Sequence, residues 1–113
     1  MAVKRLSVLS INTIIKMCKN KSLRWTNHIF VRLVQRGISI ADVEYVLLNG
    51  VIIEQYPDDY PYPSALILGV SKTAKPMHVV CGLSDKELWL ITSYYPDIED
   101  WEPDFRTRKE KAK

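Results

Sequence analysis

The chain has 113 residues, 47% hydrophobic and 26% charged, a composition that suits one globular domain with a single core and excludes a disordered chain. No apolar run is long enough to span a membrane, and Cys18 and Cys81 have neither the spacing of a zinc knuckle nor that of a redox pair. The net charge of +3 hides a lopsided distribution: residues 1–36 carry eight Lys or Arg and no acid, residues 37–104 carry three Lys and twelve acids, and the tail from Phe105 is basic again.

A basic first third and a basic tail form one phosphate-facing surface if they meet in space. The same residues also suit a solvated helix face and a frayed end. Two reduced, structural cysteines and a cytoplasmic location are expected, although the start MAVKRLSVLS is basic and then apolar, as a leader would be.

In chain order, Ile11, Ile14, Ile15 and Cys18 repeat at helical spacing and predict a short amphipathic helix, broken at Asn20-Lys21-Ser22. Thr26 or Asn27 caps a second helix that runs to Arg36, with Ile29, Phe30, Leu33 and Val34 clustered on one side and Gly37 as its stop. Ser39 opens a third helix, with Asp42 three residues on as in a capping box, Val43, Val46 and Leu47 as its buried stripe, and Asn49-Gly50 at its end.

From Val51 the period becomes that of strands. Val51–Tyr56 is one, the proline-rich run Pro57–Pro63 is a loop, and Ser64–Ser71 is a second. Met77–Leu83 and Glu87–Tyr95 flank the polar break Ser84-Asp85-Lys86 and read as a β-hairpin. The order implies an α+β fold: N-terminal helices, then a four-stranded antiparallel sheet with the helices packed on one face.

The hairpin sets the chemistry through its register. A turn centred between Asp85 and Lys86 pairs Leu83 with Leu88, Val79 with Thr92 and His78 with Ser93. Met77, Val79, Cys81, Leu83, Leu88, Leu90, Thr92 and Tyr94 then share the core face, and His78 shares the other with Ser93 and Tyr95. A slip of one residue reverses this, because side chains alternate between faces.

No metal-ligand spacing, phosphate loop, dinucleotide fingerprint or nucleophile elbow occurs, so no metal and no cofactor is expected. What the sequence offers is a set of proton carriers and cations. His28, Arg32 and Arg36 fall at i, i+4 and i+8 on the second helix, and His78, Ser93 and Tyr95 lie on the sheet. Two histidines, arginines and a hydroxyl suit metal-free RNA cleavage, which needs a base for the 2′-hydroxyl, an acid for the leaving 5′-oxygen and cations for the phosphorane. Each has a plainer structural reading too: surface or packed imidazoles, arginines paired with the acids of Asp97–Asp104, and Trp89 and Trp101 as packing.

The ordered series Trp25-Thr-Asn-His28, Arg32, Arg36-Gly37-Ile38-Ser39, Asn49-Gly50, Glu54-Gln55-Tyr56-Pro57-Asp58-Asp59, Pro76-Met77-His78-Val79-Val80 and Ile91-Thr92-Ser93-Tyr94-Tyr95-Pro96-Asp97 resembles the bacterial domain-of-unknown-function 4258 family over residues 25–106. The resemblance implies a compact helix-plus-sheet domain similar to the RelE-like, barnase–colicin type ribonuclease toxins. It implies a family core at 25–106; residues 1–24 lie outside the resemblance and, from their spacing, are expected as a helical extension, and 107–113 as a basic tail, all in one domain.

By that analogy His28 or His78 does the acid/base work, Arg32 meets the phosphate, and Tyr94 positions it. In the simple register Tyr95, not Tyr94, is the neighbour of His78 unless a bulge intervenes. Arg24, Arg36, Thr92, Arg106 and Arg108 are expected to bind RNA. The expected partners are RNA and a cognate antitoxin protein. The expected activity is endoribonucleolytic, and the alternative is a non-catalytic RNA- or protein-binding module on the same fold.

Overall fold

The computed structural model describes residues 9–110. Three helices come first: α1 (Ile11–Lys19), α2 (Asn27–Arg36) and α3 (Ile40–Asn49). Five strands complete the domain: β1 (Leu23–Trp25) between α1 and α2, then β2 (Val51–Tyr56), β3 (Ser64–Val70), β4 (Pro76–Leu83) and β5 (Leu88–Tyr94). The sheet order is β1-β5-β4-β3-β2. The α+β class holds, but the sheet is five-stranded and mixed. The unexpected strand β1 runs parallel to β5, pairing Leu23 with Leu88 and Trp25 with Leu90. Part of the segment expected as a helical extension is therefore sheet; residues 1–8 of that extension and the end of the basic tail, 111–113, lie outside the described residues.

Local chemistry places the helices as their caps predict. The Ser10 hydroxyl accepts from Thr13 N–H at the start of α1, and Thr26 Oγ1 accepts from Ile29 N–H at the start of α2. Gly37 takes a left-handed φ of 67°, and Ile38 N–H returns to Leu33 O at 2.9 Å, burying Ile38 and closing α2 with a Schellman turn. Ser39 Oγ caps α3 through Asp42 N–H. The Asp42 carboxylate does not complete a capping box. It accepts from Lys72 N–H at 3.0 Å and so ties the start of α3 to the β3–β4 turn.

One face of the sheet carries Ala65, Ile67, Met77, Val79, Cys81, Leu88 and Leu90 against Ile14, Ile29, Leu33, Val43, Val46 and Leu47 of the helices. Burial of this set from both layers supplies the driving force that holds helices to sheet. Burial pushes the Cys81 thiol up to about 12, so this sulfur is a packed apolar atom.

The hairpin departs from the simple register. Leu83 pairs with Leu88, Gly82 with Trp89 and Cys81 with Leu90, as counting from the turn requires. A bulge then intervenes: Val80 pairs with Thr92, Val79 with Ser93 and His78 with Tyr94, leaving Ile91 as the extra residue. Thr92 and Tyr94 therefore leave the core face and join His78 on the outer face. Ser93 moves the other way, is fully buried, and donates its hydroxyl to His78 O at 2.8 Å. Tyr95 packs against the core cluster and under Lys75, so it is not the neighbour of His78.

At the α3–β2 junction the chain passes very close to β3. A Cβ on Gly50 would lie 2.6 Å from Leu68 O and 2.7 Å from Val46 O, both backbone atoms that cannot swing away. Gly50→Ala is expected to lower stability by about 1–3 kcal/mol through this overpacking, read as a fall in the urea midpoint with an unchanged m-value.

Candidate functional site

The outer face of the sheet gathers polar groups from three strands. In β2 a bulge between Ile52 and Glu54 resets the alternation, so Glu54 and Tyr56 stand opposite Leu66 and Ser64. In β4 and β5, His78 and Tyr94 stand opposite each other. The segment after β5 then folds back over this face. Asp97–Trp101 forms a turn, Trp101 bridges to Arg108, and Glu102 N–H bonds Thr107 O at 2.8 Å. At its tip, Asp104 accepts from the backbone N–H of Arg106 and Thr107 and from the Thr107 hydroxyl, bonds that hold its carboxyl below the usual carboxylate range. Phe105 adopts a left-handed φ of 57°, a costly conformation for a residue with a side chain, and its carbonyl meets His78.

His78 is fully buried. Its Nε2 is 2.7 Å from Phe105 O, and a carbonyl can only accept, so Nε2 carries the proton. Burial drives the imidazole below its ordinary pKa, against the opposing pull of the Phe105 bond and of the Glu54 charge. The ring is accordingly neutral, Nδ1 is an acceptor, and the Tyr94 hydroxyl donates to it across 3.3 Å. Desolvation raises the Tyr94 phenol, which keeps it protonated and in that donor role. The Trp101 and Tyr94 rings enclose the imidazole edge-on, with centroids 4.5 and 5.3 Å away.

Arg108 closes the cluster. Its guanidinium donates to both Glu54 oxygens, Nε to Oε2 at 2.9 Å and Nη2 to Oε1 at 3.0 Å, and lies 4.6 Å from the Trp101 ring centroid. The Tyr56 hydroxyl donates to Glu54 as well. The Arg108 bond holds the Glu54 carboxyl below its usual range and raises the guanidinium further, while desolvation, followed by Glu54, raises the Tyr56 phenol. A cavity of about 470 Å³ opens beside the cluster, lined by Tyr94, Asp100, Trp101, Arg108 and Lys109. It has hydroxyl, carboxylate and cationic walls.

The structure thus brings together three of the predicted residues, His78, Tyr94 and Arg108, and separates them from others. His28 and Arg32 stand exposed on α2, on the helical side of the domain, while His78 lies on the outer face. Arg36 reaches the edge of β5, where Nη1 donates to Thr92 Oγ1 at 3.1 Å and to Ser93 O at 2.9 Å. Arg24 pairs with Glu87 at 3.1 Å and lies over Trp89, and Arg106 is exposed on the folded-back segment. Glu54, Tyr56 and Trp101 belong to the cluster without having been assigned to it. The i, i+2 spacing of Glu54 and Tyr56 in a strand was the available signal.

Residues 25–95 match the family model described as Domain of unknown function (DUF4258), well over half of the chain. The chain belongs to the DUF4258 family. No curated protein and no solved structure matches it. The DUF4258 match ends at Tyr95, so it supplies His78, Glu54, Tyr56 and Tyr94 of the cluster, whereas Trp101, Phe105 and Arg108 come from the segment beyond. Among the described residues no helix is long and apolar enough to cross a membrane, and no group of three or more His, Cys, Asp or Glu side chains is placed to hold a metal ion.

The buried neutral imidazole makes stability depend on pH. The folded pKa of His78 lies below the unfolded value of about 6.5, so the unfolded chain takes up the proton first as pH falls. Its contribution is complete above about pH 6.5 and declines as pH drops toward the folded pKa. Glu54 and Asp104 add their own losses only lower, as pH falls below the ordinary carboxylate values of about 4. Melting temperatures measured from pH 8 to pH 5 should fall in the wild type and fall less steeply in His78→Gln.

Proposed function

We propose that this DUF4258 protein is a metal-independent endoribonuclease, the cytoplasmic toxin of a toxin–antitoxin pair, and that RNA is cut on the outer face of its sheet. The observation that carries this reading is the convergence of His78, Tyr94, Glu54 and Arg108 beside a cavity whose wall includes Lys109. Such a set contains a proton acceptor, a hydroxyl, and cations for phosphate oxygens.

In this scheme a phosphodiester lies in the cavity with its charge against Arg108 and Lys109. The 2′-hydroxyl faces Tyr94 and attacks the adjacent phosphorus. Its proton passes to Tyr94 Oη as the phenolic proton passes to His78 Nδ1, and the resulting imidazolium stays bonded through Nε2–H to Phe105 O. The P–O5′ bond breaks, the 5′-oxygen takes a proton from a water molecule at the mouth of the cavity, and the imidazolium returns its proton through Tyr94 Oη to the hydroxide so formed. The products are a 2′,3′-cyclic phosphate and a free 5′-hydroxyl. Glu54 keeps the Arg108 guanidinium oriented and offsets part of its charge. An antitoxin restrains the activity by covering this cleft.

A second reading, a non-catalytic RNA- or protein-binding module, is favoured by one specific observation: His78 is fully buried and both of its ring nitrogens are engaged by the protein itself. Purified protein incubated with single-stranded RNA in EDTA separates the two. The nuclease reading expects cyclic-phosphate ends, a loss of about 10²–10⁴-fold in Tyr94→Phe and Arg108→Ala, and little change in His28→Ala. Induced expression should arrest growth with wild type and not with Tyr94→Phe. Intact RNA and normal growth with folded, soluble protein would leave the binding module.

A further inference from the structure

Helix α2 turns one side, Ile29 and Leu33, into the core and leaves the rest of its surface open. Two further rows run along the open part, because residues three and four apart share a side of a helix. Phe30, Val31 and Val34 form an apolar row, 39, 55 and 82% exposed. His28, Arg32 and Arg36 form a basic row that flanks it, and the cluster on the outer face of the sheet uses none of the three.

Trp25 stacks on Phe30 at a centroid distance of 6.1 Å and fixes that ring, while Val31 and Val34 meet water. Isolated exposed aliphatics are ordinary, but three neighbours on a helix that already has a core face make a patch. Among the described residues Arg32 has no ion pair, and Arg36 is bonded to two neutral oxygens, Thr92 Oγ1 and Ser93 O. No acid accompanies them in the sequence up to this point: residues 1–36 hold eight Lys or Arg and neither Asp nor Glu.

We infer that this face of α2 docks an acidic amphipathic helix of another protein. The ten residues of α2 make a convex ridge about 15 Å long at about 1.5 Å per residue. A second helix fits such a ridge by laying its own apolar row along it, and carboxylates beside that row meet the guanidinium groups of Arg32 and Arg36. Like charge turns away a basic partner, and equally the same face of a second copy. Phosphates of a nucleic acid would suit the arginines but leave Val31 and Val34 in water, since aliphatic side chains give bases no stacking platform. A bilayer surface asks for Trp, Phe or Leu anchors sunk about 5–10 Å deep, whereas the two most exposed residues of this row are short valines.

The face lies on the helical side, away from the cleft beside His78, so docking there is independent of RNA cleavage.

The test uses the full chain, ¹⁵N-labelled, and a synthetic helical peptide of about 18 residues, about five turns, with leucine along one side and glutamate on both flanks. A control peptide has lysine at every glutamate position. The glutamate peptide is expected to bind with shifts centred on the α2 amide signals, more weakly as salt rises, and the lysine peptide not at all. Val34→Glu should weaken binding about tenfold, the loss of one buried anchor, and leave the melting temperature in place because the side chain is on the surface. Arg32→Glu should weaken the glutamate peptide and admit the lysine peptide. Equal binding of the two peptides, binding indifferent to both substitutions, or no binding by folded protein overturns the docking surface. Vesicles with anionic lipid, or an RNA hexanucleotide, that shift the same α2 signals when the glutamate peptide does not would replace the helix as occupant and overturn the proposal. RNA cleavage should be unchanged in Val34→Glu, so loss of the nuclease reading and loss of this surface are told apart.

Discussion

Because Ile91 has no residue opposite it in β4, the second half of β5 is turned by one position relative to the first. The pairing of His78 with Tyr94 follows from that extra residue. It takes Tyr94 out of the core and sets it across from His78, and it sends Ser93 inward, where its hydroxyl satisfies the His78 carbonyl. Without the bulge, the Tyr94 phenol would need a partner inside an apolar layer, and His78 would face a serine. One irregularity therefore keeps the helix-facing layer apolar and assembles a polar group on the opposite side.

The folded-back segment finishes what the bulge begins. A buried imidazole needs both nitrogens satisfied, and strands alone provide one partner, the Tyr94 hydroxyl. The second is the Phe105 carbonyl, presented by a residue whose left-handed backbone is unfavourable in itself. The bidentate Arg108–Glu54 pair and the stacking of Arg108 on Trp101 offset that local cost and hold the segment across the sheet. The same bonds keep His78 from solvent. Its protonation state is thereby tied to whether residues 97–108 are in place.

Much of the helical layer was legible because its signals are local. Thr26 with Gly37, and Ser39 with Asn49-Gly50, mark helix ends through side-chain chemistry a few residues away, and the buried stripes Ile29/Leu33 and Val43/Val46/Leu47 repeat at helical spacing. The strand Leu23–Trp25 was not legible: three residues show no period, and it becomes a strand only because β5 offers its edge. The hairpin turn was read correctly but the register beyond it was not, since the bulge is decided by packing on both faces at once. His78 was identifiable as a candidate, and Tyr94 came from family likeness where counting along the strand pointed to Tyr95. The Glu54–Arg108 pair spans 54 positions and joins a strand to a tail, a relation that no local pattern encodes.

The sheet's β1 side ends unevenly, since β1 covers only Leu88–Leu90 and leaves the rest of β5 at the border. Along that stretch the guanidinium of Arg36 takes the Ser93 carbonyl and the Thr92 hydroxyl. A strand arriving from another chain would have to compete with a charged donor already seated on the acceptor it needs. The domain thus discourages edge-to-edge aggregation here with one side chain from α2. Any partner that lengthens the sheet is directed to the opposite border, at β2, where the bulge after Ile52 permits only a short and interrupted match.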